Sequence, residues 1–165
     1  KLENIDIPEL WSQLAIDSLA QKDFRKAGVP QHDEQGNPIV GPDGNPKLGG
    51  ESDSRQVFER LAGCWTSWGK NFGYFKTPED TEAFHDELCY MLGHQMAAPN
   101  SPQWFNTGLH YAYGLSGTAQ GHFYVDPKTH DGVKATNACA HPQPHPCFIQ
   151  SVDDDLVSEG DSLCL

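Results

Sequence analysis

Two stretches of this chain carry residue types with chemistry in them. The first is Pro99-Asn100-Ser101-Pro102-Gln103-Trp104-Phe105-Asn106-Thr107-Gly108, a stiff polar segment. A hydroxyl such as Ser101, set among backbone amides on a preorganised loop, holds a phosphate or ribose oxygen at little reordering cost. A helix stop followed by an ordinary turn fits the same residues. The second stretch is Pro142-Gln143-Pro144-His145-Pro146-Cys147-Phe148-Ile149-Gln150-Ser151. Here Pro146 restricts the backbone and lacks an N–H, and an apolar, strand-like run follows Cys147. That arrangement fixes a thiol at the end of a strand, although a buried cysteine opening a core strand has the same local pattern. Cys139, His141, His145 and Cys147 are also zinc-ligand types. The intervening prolines and one-residue gaps make tetrahedral convergence awkward, and no metal is assigned. Read together, the two stretches suggest half of an active site whose other half is missing from these 165 residues.

Mostly helices must position these groups. The spacing predicts a first helix over 6–28, capped by Asp6, with Leu10, Trp11, Leu14, Ala15 and Leu19 on one face and Gly28 and Pro30 ending it. Residues 31–50 turn polar and repeat Gly-Asn-Pro at an eight-residue offset, which reads as a short hairpin or paired turn on the surface. A second helix starts at Ser52 or Ser54 and runs to about Lys70, with Val57, Leu61, Cys64, Trp65 and Trp68 along one side. A third begins at Thr77-Pro78-Glu79-Asp80 and runs to about Ala97. Its Phe84, Leu88, Leu92 and Met96 recur at helical spacing, and Cys64 and Cys89 read as packing residues beside these faces. A short helix is expected over 104–113, a strand over 122–126, a long polar loop over 127–138 and a buried strand from Cys147.

Composition narrows the classes. A formal charge of −12 opposes direct nucleic-acid binding and attachment to an anionic membrane. No apolar run approaches the roughly 18–20 residues of a membrane span. The chain opens at Lys1 with neither an initiator Met nor an apolar signal segment, and reads as one that has been cut into. Five irregularly spaced cysteines without a CxxC pair suit a reducing cytoplasm better than a secreted disulfide scaffold. The 37% apolar content, 16 glycines and 12 prolines predict much loop and a surface that meets other structure.

Met96-Ala97-Ala98-Pro99-Asn100-Ser101-Pro102-Gln103-Trp104-Phe105-Asn106-Thr107-Gly108-Leu109 resembles the N-terminal region of class II ribonucleotide reductases, the adenosylcobalamin-dependent enzymes that make deoxyribonucleotides. Ala119-Gln120-Gly121-His122-Phe123-Tyr124-Val125-Asp126-Pro127, His141-Pro142-Gln143-Pro144-His145 and Cys147-Phe148-Ile149-Gln150-Ser151-Val152 extend the resemblance. Upstream, Arg55-Gln56-Val57-Phe58-Glu59-Arg60-Leu61-Ala62-Gly63-Cys64-Trp65 and the Gly-Asn-Pro excursion are similar to longer members, so the likeness covers about residues 1–160. It implies an α+β, mainly α fold: a helical region over 1–98 with an excursion at 31–50, then substrate-loop and first barrel-strand segments over 99–160 that begin an incomplete α/β barrel, and a divergent tail over 161–165.

The resemblance also implies a chemistry. In the family, cobalamin homolysis generates a thiyl radical that abstracts the 3′ hydrogen of the ribose. Two further cysteines reduce the 2′ carbon as water leaves, and end as a disulfide. Cys147 matches the first of that reducing pair, Ser101 the hydroxyl that contacts substrate, and Pro146 the neighbour whose backbone lies beside the substrate. Asp154 falls where the site for a deoxynucleotide effector begins. A ribonucleoside diphosphate substrate, a thioredoxin-like reductant and the C-terminal barrel are the implied partners. The radical cysteine, the partner cysteine and the cobalamin surface fall beyond residue 165, so the isolated chain is expected to be inactive. Three features depart from the family: Pro146 in place of a small residue, a cysteine at 139, and the sequence after Gly160. Truncation, a reading-frame change or an intein junction each fit that ending. A non-catalytic interaction or regulatory module on the same scaffold remains the alternative, and a small zinc protein a third.

Overall fold

The computed structural model describes residues 5–33, 35–119 and 121–144. Its centre is a helical hairpin. The first arm, α2 (Ser54–Asn71), is opened by a capping box in which the Asp53 carboxylate accepts from the Arg55 amide and Gln56 reaches back to the Asp53 amide. The second arm, α3 (Pro78–Gly93), opens on the same device, with Thr77 and Asp80 exchanging bonds of 3.1 Å and Pro78 in the first turn. Val57, Phe58 and Leu61 of α2 and Leu92 of α3 are buried with Leu19 and Phe24 in one core. The second helix matches its expected bounds. The third stops at Gly93, four residues short of the expected end, because Gln95 takes a left-handed conformation and Met96 faces solvent.

The first helix departs further from expectation. Asp6 does not cap it: the Asp6 amide donates to the Ser52 carbonyl at 2.9 Å and its carbonyl accepts from the Ser54 amide at 2.8 Å. Tertiary pairing thus removes residues 6–11 from the helix. The helical segment α1 (Gln13–Ser18) is capped by Ser12 and runs into a π-helical turn at Leu19–Asp23. Its expected apolar face is also wrong, since Leu10 and Leu14 are 79% and 80% exposed while Leu19 is buried. Trp11 reaches the core and donates from Nε1 to the Gly93 carbonyl at 2.7 Å.

The excursion at 31–50 is a paired turn, and the eight-residue repeat has a backbone meaning. Ile39 N donates to Gln31 O, Lys47 N to Ile39 O, and Gln31 N to Lys47 O, so residues eight apart close a triangle. In each repeat an aspartate braces an asparagine: Asp33 with Asn37 and Asp43 with Asn45. Two short strands, β1 (Val29–Pro30) and β2 (Leu48–Gly49), pair antiparallel at its foot.

Beyond α3, two short helices follow, α4 (Ser101–Asn106) and α5 (Leu109–Tyr113). Gly108 separates them at φ +81°, so the single helix expected over 104–113 is divided and begins earlier. The strand expected near Phe123 is present as β3 (Phe123–Val125). It pairs antiparallel with β4 (Gly132–Lys134), which lies inside the segment expected to be loop. Asp126 nucleates that turn by accepting from the Lys128 and Thr129 amides at 2.8 and 3.0 Å. The described residues form a mainly helical α+β structure with two small antiparallel sheets.

Candidate functional site

Ser101 lies on the first turn of α4, not on an irregular loop. Asn100 caps the helix by accepting the Gln103 amide at 3.0 Å, and Pro102 has no N–H, so the exposed Ser101 is the polar group this turn offers to solvent. The underside of α4 is anchored. Trp104 packs on Phe58 with ring centroids 6.2 Å apart, and Trp11 also packs on Phe58, at 5.9 Å.

The deeper anchor is a buried charge pair that sequence reasoning missed. Arg60, in the middle of α2, is 1% exposed, and Glu51, at the foot of the excursion, is 2% exposed. Arg60 Nε donates to Glu51 Oε1 at 2.7 Å and Nη2 to Oε2 at 3.3 Å. The remaining guanidinium donors reach the Thr107 carbonyl at 2.8 Å and the Asp23 carbonyl at 3.1 Å. Glu51 also accepts from the Tyr113 hydroxyl at 2.8 Å and the Arg25 amide at 2.7 Å. One ion pair therefore ties the π-helical turn, α2, the end of α4 and α5. It fixes the Ser101 turn by holding Thr107 six residues downstream. The sequence hint was an arginine whose neighbours one helical turn away, Val57 and Cys64, are apolar.

Gly108 makes the same junction possible. Its left-handed φ suits glycine, and a Cβ there would overlap the Arg60 carbonyl oxygen. Beside it, the Asp23 side chain is 8% exposed and its Oδ1 has no hydrogen-bond partner among the described residues. Burial pushes that carboxyl up from 3.8 to about 6, with the Arg60, Lys22 and Lys26 charges opposing. Asp23 faces a cleft of about 210 Å³ walled by Trp11, Leu92 and Trp104.

Cys147, Pro146 and Asp154 lie outside the described residues, as does the strand expected from Cys147. Of the four residues weighed for zinc, Cys139 and His141 are described and His145 and Cys147 are not. The His141 ring stacks on Tyr124 at 3.7 Å and 7°. Cys64 is buried and inert, its thiol pushed up to about 11 by burial. Cys89 is half-buried and raised to about 11 as well, by burial and then by the Glu59 and Asp86 charges. Its sulfur lies within 4.8 Å of donor atoms on His85, one turn earlier on α3, and on Glu59, across the hairpin on α2. The His85 and Cys89 spacing, one helical turn on α3, was the signal available in the sequence.

Comparison with known proteins bears on all of these residues. Residues 1–95 match the family model described as class II vitamin B12-dependent ribonucleotide reductase. The vitamin B12-dependent ribonucleotide reductases of Bradyrhizobium diazoefficiens and Agrobacterium fabrum are each 53% identical, over 97% of this chain. That of Rhodopirellula baltica is 34% identical over 92% of it. The chain belongs to the class II vitamin B12-dependent ribonucleotide reductase family. It spans 14% of the length of the first two relatives and 13% of the third.

The cofactor in those names can be tested against the surface. Clefts lined by the described residues are open and range from about 210 to about 790 Å³. That is the scale of a drug-sized ligand, roughly 300–1,000 Å³, and a corrin with its nucleotide tail is far larger. Clefts of that size among the described residues are too small to enclose that group. No helix among them is long and apolar enough to cross a membrane.

Proposed function

We propose that this chain is the N-terminal part of a cytoplasmic, cobalamin-dependent ribonucleoside-diphosphate reductase, and that its task is to seat the substrate and supply one of two reducing thiols. The observation that carries the reading is the 53% identity sustained across 97% of the chain. The exposed Ser101 on a turn anchored from beneath supports it. In this reading Ser101 and the backbone at Pro146 hold the ribose. Cys147 and a second cysteine elsewhere in the enzyme together give up two hydrogens. One replaces the 2′ hydroxyl on carbon, the other leaves with that hydroxyl as water, and the two sulfurs join as a disulfide. A thioredoxin-like dithiol restores them. Asp154 begins the pocket for a deoxynucleotide effector. The segment over 99–160 leads into the first strands of the α/β barrel, and cobalamin is held by the rest of the enzyme.

The test is made in the complete reductase. Ser101→Ala raises KM for the nucleotide about tenfold, the worth of one hydrogen bond of roughly 1.4 kcal/mol. Cys147→Ser abolishes multiple turnover with a thiol reductant. Multiple turnover at the unmodified enzyme's rate in that variant overturns the catalytic assignment. The 165-residue chain alone is inert, and adding the remainder restores nucleotide reduction.

A further inference from the structure

Away from the Ser101 turn, the outer face of the α2/α3 hairpin gathers three different donor atoms. Glu59 projects from α2, and His85 and Cys89 project one turn apart from α3. His85 Nε2 lies 3.1 Å from Glu59 Oε2 and 3.9 Å from Cys89 Sγ, and all three donor atoms lie within 4.8 Å of one another. Zinc bond lengths of about 2.0–2.1 Å to nitrogen, 2.0–2.2 Å to oxygen and 2.3 Å to sulfur set the edges of a tetrahedral site. Those edges are roughly 3.3 Å for N···O and 3.6 Å for N···S. The Glu59–His85 and His85–Cys89 pairs lie within about 0.3 Å of those edges, and the Glu59 and Cys89 donor atoms lie within 4.8 Å of each other.

The other ring nitrogen supplies a separate observation. His85 Nδ1 lies 3.0 Å from Asp86 Oδ1. A carboxylate only accepts, so Nδ1 carries the proton donated to Asp86, and Nε2 either donates to Glu59 or, with that proton displaced, is free to ligate a metal. Nε2 therefore lies between the Glu59 carboxylate oxygen and the Cys89 sulfur, two atoms that ligate a metal once Cys89 is a thiolate. A metal ion engages all three, and a carboxylate on the far nitrogen of a ligating histidine is the usual outer support.

We propose that Glu59, His85 and Cys89 form a zinc site that clamps α2 to α3, with Asp86 orienting His85 and solvent completing the tetrahedron. On binding, the Cys89 thiol releases one proton to solvent and its thiolate becomes the sulfur ligand. The site is independent of the proposed reductase chemistry, because none of its residues takes part there.

Metal-free chain is titrated with Zn²⁺ by equilibrium dialysis and with Co²⁺ by absorption spectroscopy. One metal per chain is expected, with a near-ultraviolet thiolate-to-cobalt charge-transfer band. Cys89→Ser and His85→Gln lose that band, and Asp86→Asn weakens zinc binding about 10–100-fold. Cys139→Ser leaves it unchanged, which separates this site from the Cys139 and His141 region. Absence of the band in the unmodified chain overturns the proposal, as does a band that survives Cys89→Ser. Should that variant not fold, alkylation of the unmodified chain decides the matter. Zinc must protect Cys89 from iodoacetamide, and equal labelling with and without zinc refutes the site.

Discussion

Replacing Glu51 by glutamine removes the negative charge from the buried pair and keeps the shape of the side chain. Arg60 then remains at 1% exposure with two backbone carbonyls and one amide oxygen as acceptors and no negative charge beside it. One amide NH2 must also face a donor among Arg60, Tyr113 and the Arg25 amide. Breaking a buried ion pair from one side costs about 3–5 kcal/mol, a large share of the roughly 5–15 kcal/mol that holds an ordinary domain together. With an m-value near 2 kcal/mol/M, that is a fall of about 1.5–2.5 M in the urea midpoint. Arg60→Met strands the carboxylate and is expected to cost a similar amount. The double variant has no uncompensated charge, so its loss falls short of the sum of the single losses by at least about 2 kcal/mol. The assay is urea denaturation followed by far-ultraviolet circular dichroism, repeated in about 1 M NaCl, where a surface pair would be screened and this one is not. Additive losses in the double variant, or coupling that vanishes in salt, refute the claim that this pair organises the junction.

Gly108→Ala should be among the most damaging small substitutions in the chain. It combines a left-handed φ with overlap on the Arg60 carbonyl, and a thermal melt should show a loss larger than the roughly 1–2 kcal/mol of the φ strain alone. For Asp23, the folded carboxyl sits at about 6 against 3.8 for an ordinary one, so the folded state holds a proton that the unfolded chain has released. Stability from this group is full below 3.8 and is lost as pH rises toward about 6. Asp23→Asn removes that decline, and the gap between variant and unmodified chain in urea midpoint should grow across this window. A gap that stays constant with pH contradicts the buried-acid account.

What could be read from the sequence follows the range of the forces involved. The capping boxes of α2 and α3 are contacts within four residues, and the helices begin where Asp53 and Thr77 put them. The paired turn at 31–50 was legible for the same reason, since each repeat carries its own Asp–Asn brace. The misplaced first helix shows the limit: Asp6 is a sound local cap until residues 52–54 claim its backbone. β4 was hidden because Gly132–Lys134 is exposed on both faces and has no apolar alternation to announce it. The Ser101 segment, singled out by residue type, was expected to be loop and is helical, since six residues give too little periodicity to reveal a helix. Nothing in the residues adjoining Arg60 and Glu51 in sequence requires either charge to be buried. Only the convergence of Asp23, Thr107 and Tyr113 makes them interior.

That convergence has a consequence for where the chain can be divided. The matched family pattern ends at residue 95, twelve positions before Thr107 and eighteen before Tyr113. An expression boundary drawn there would delete two of the groups that solvate a sequestered guanidinium and its carboxylate. The smallest piece able to stand alone must therefore extend through the second short helix, whatever boundary a sequence profile suggests.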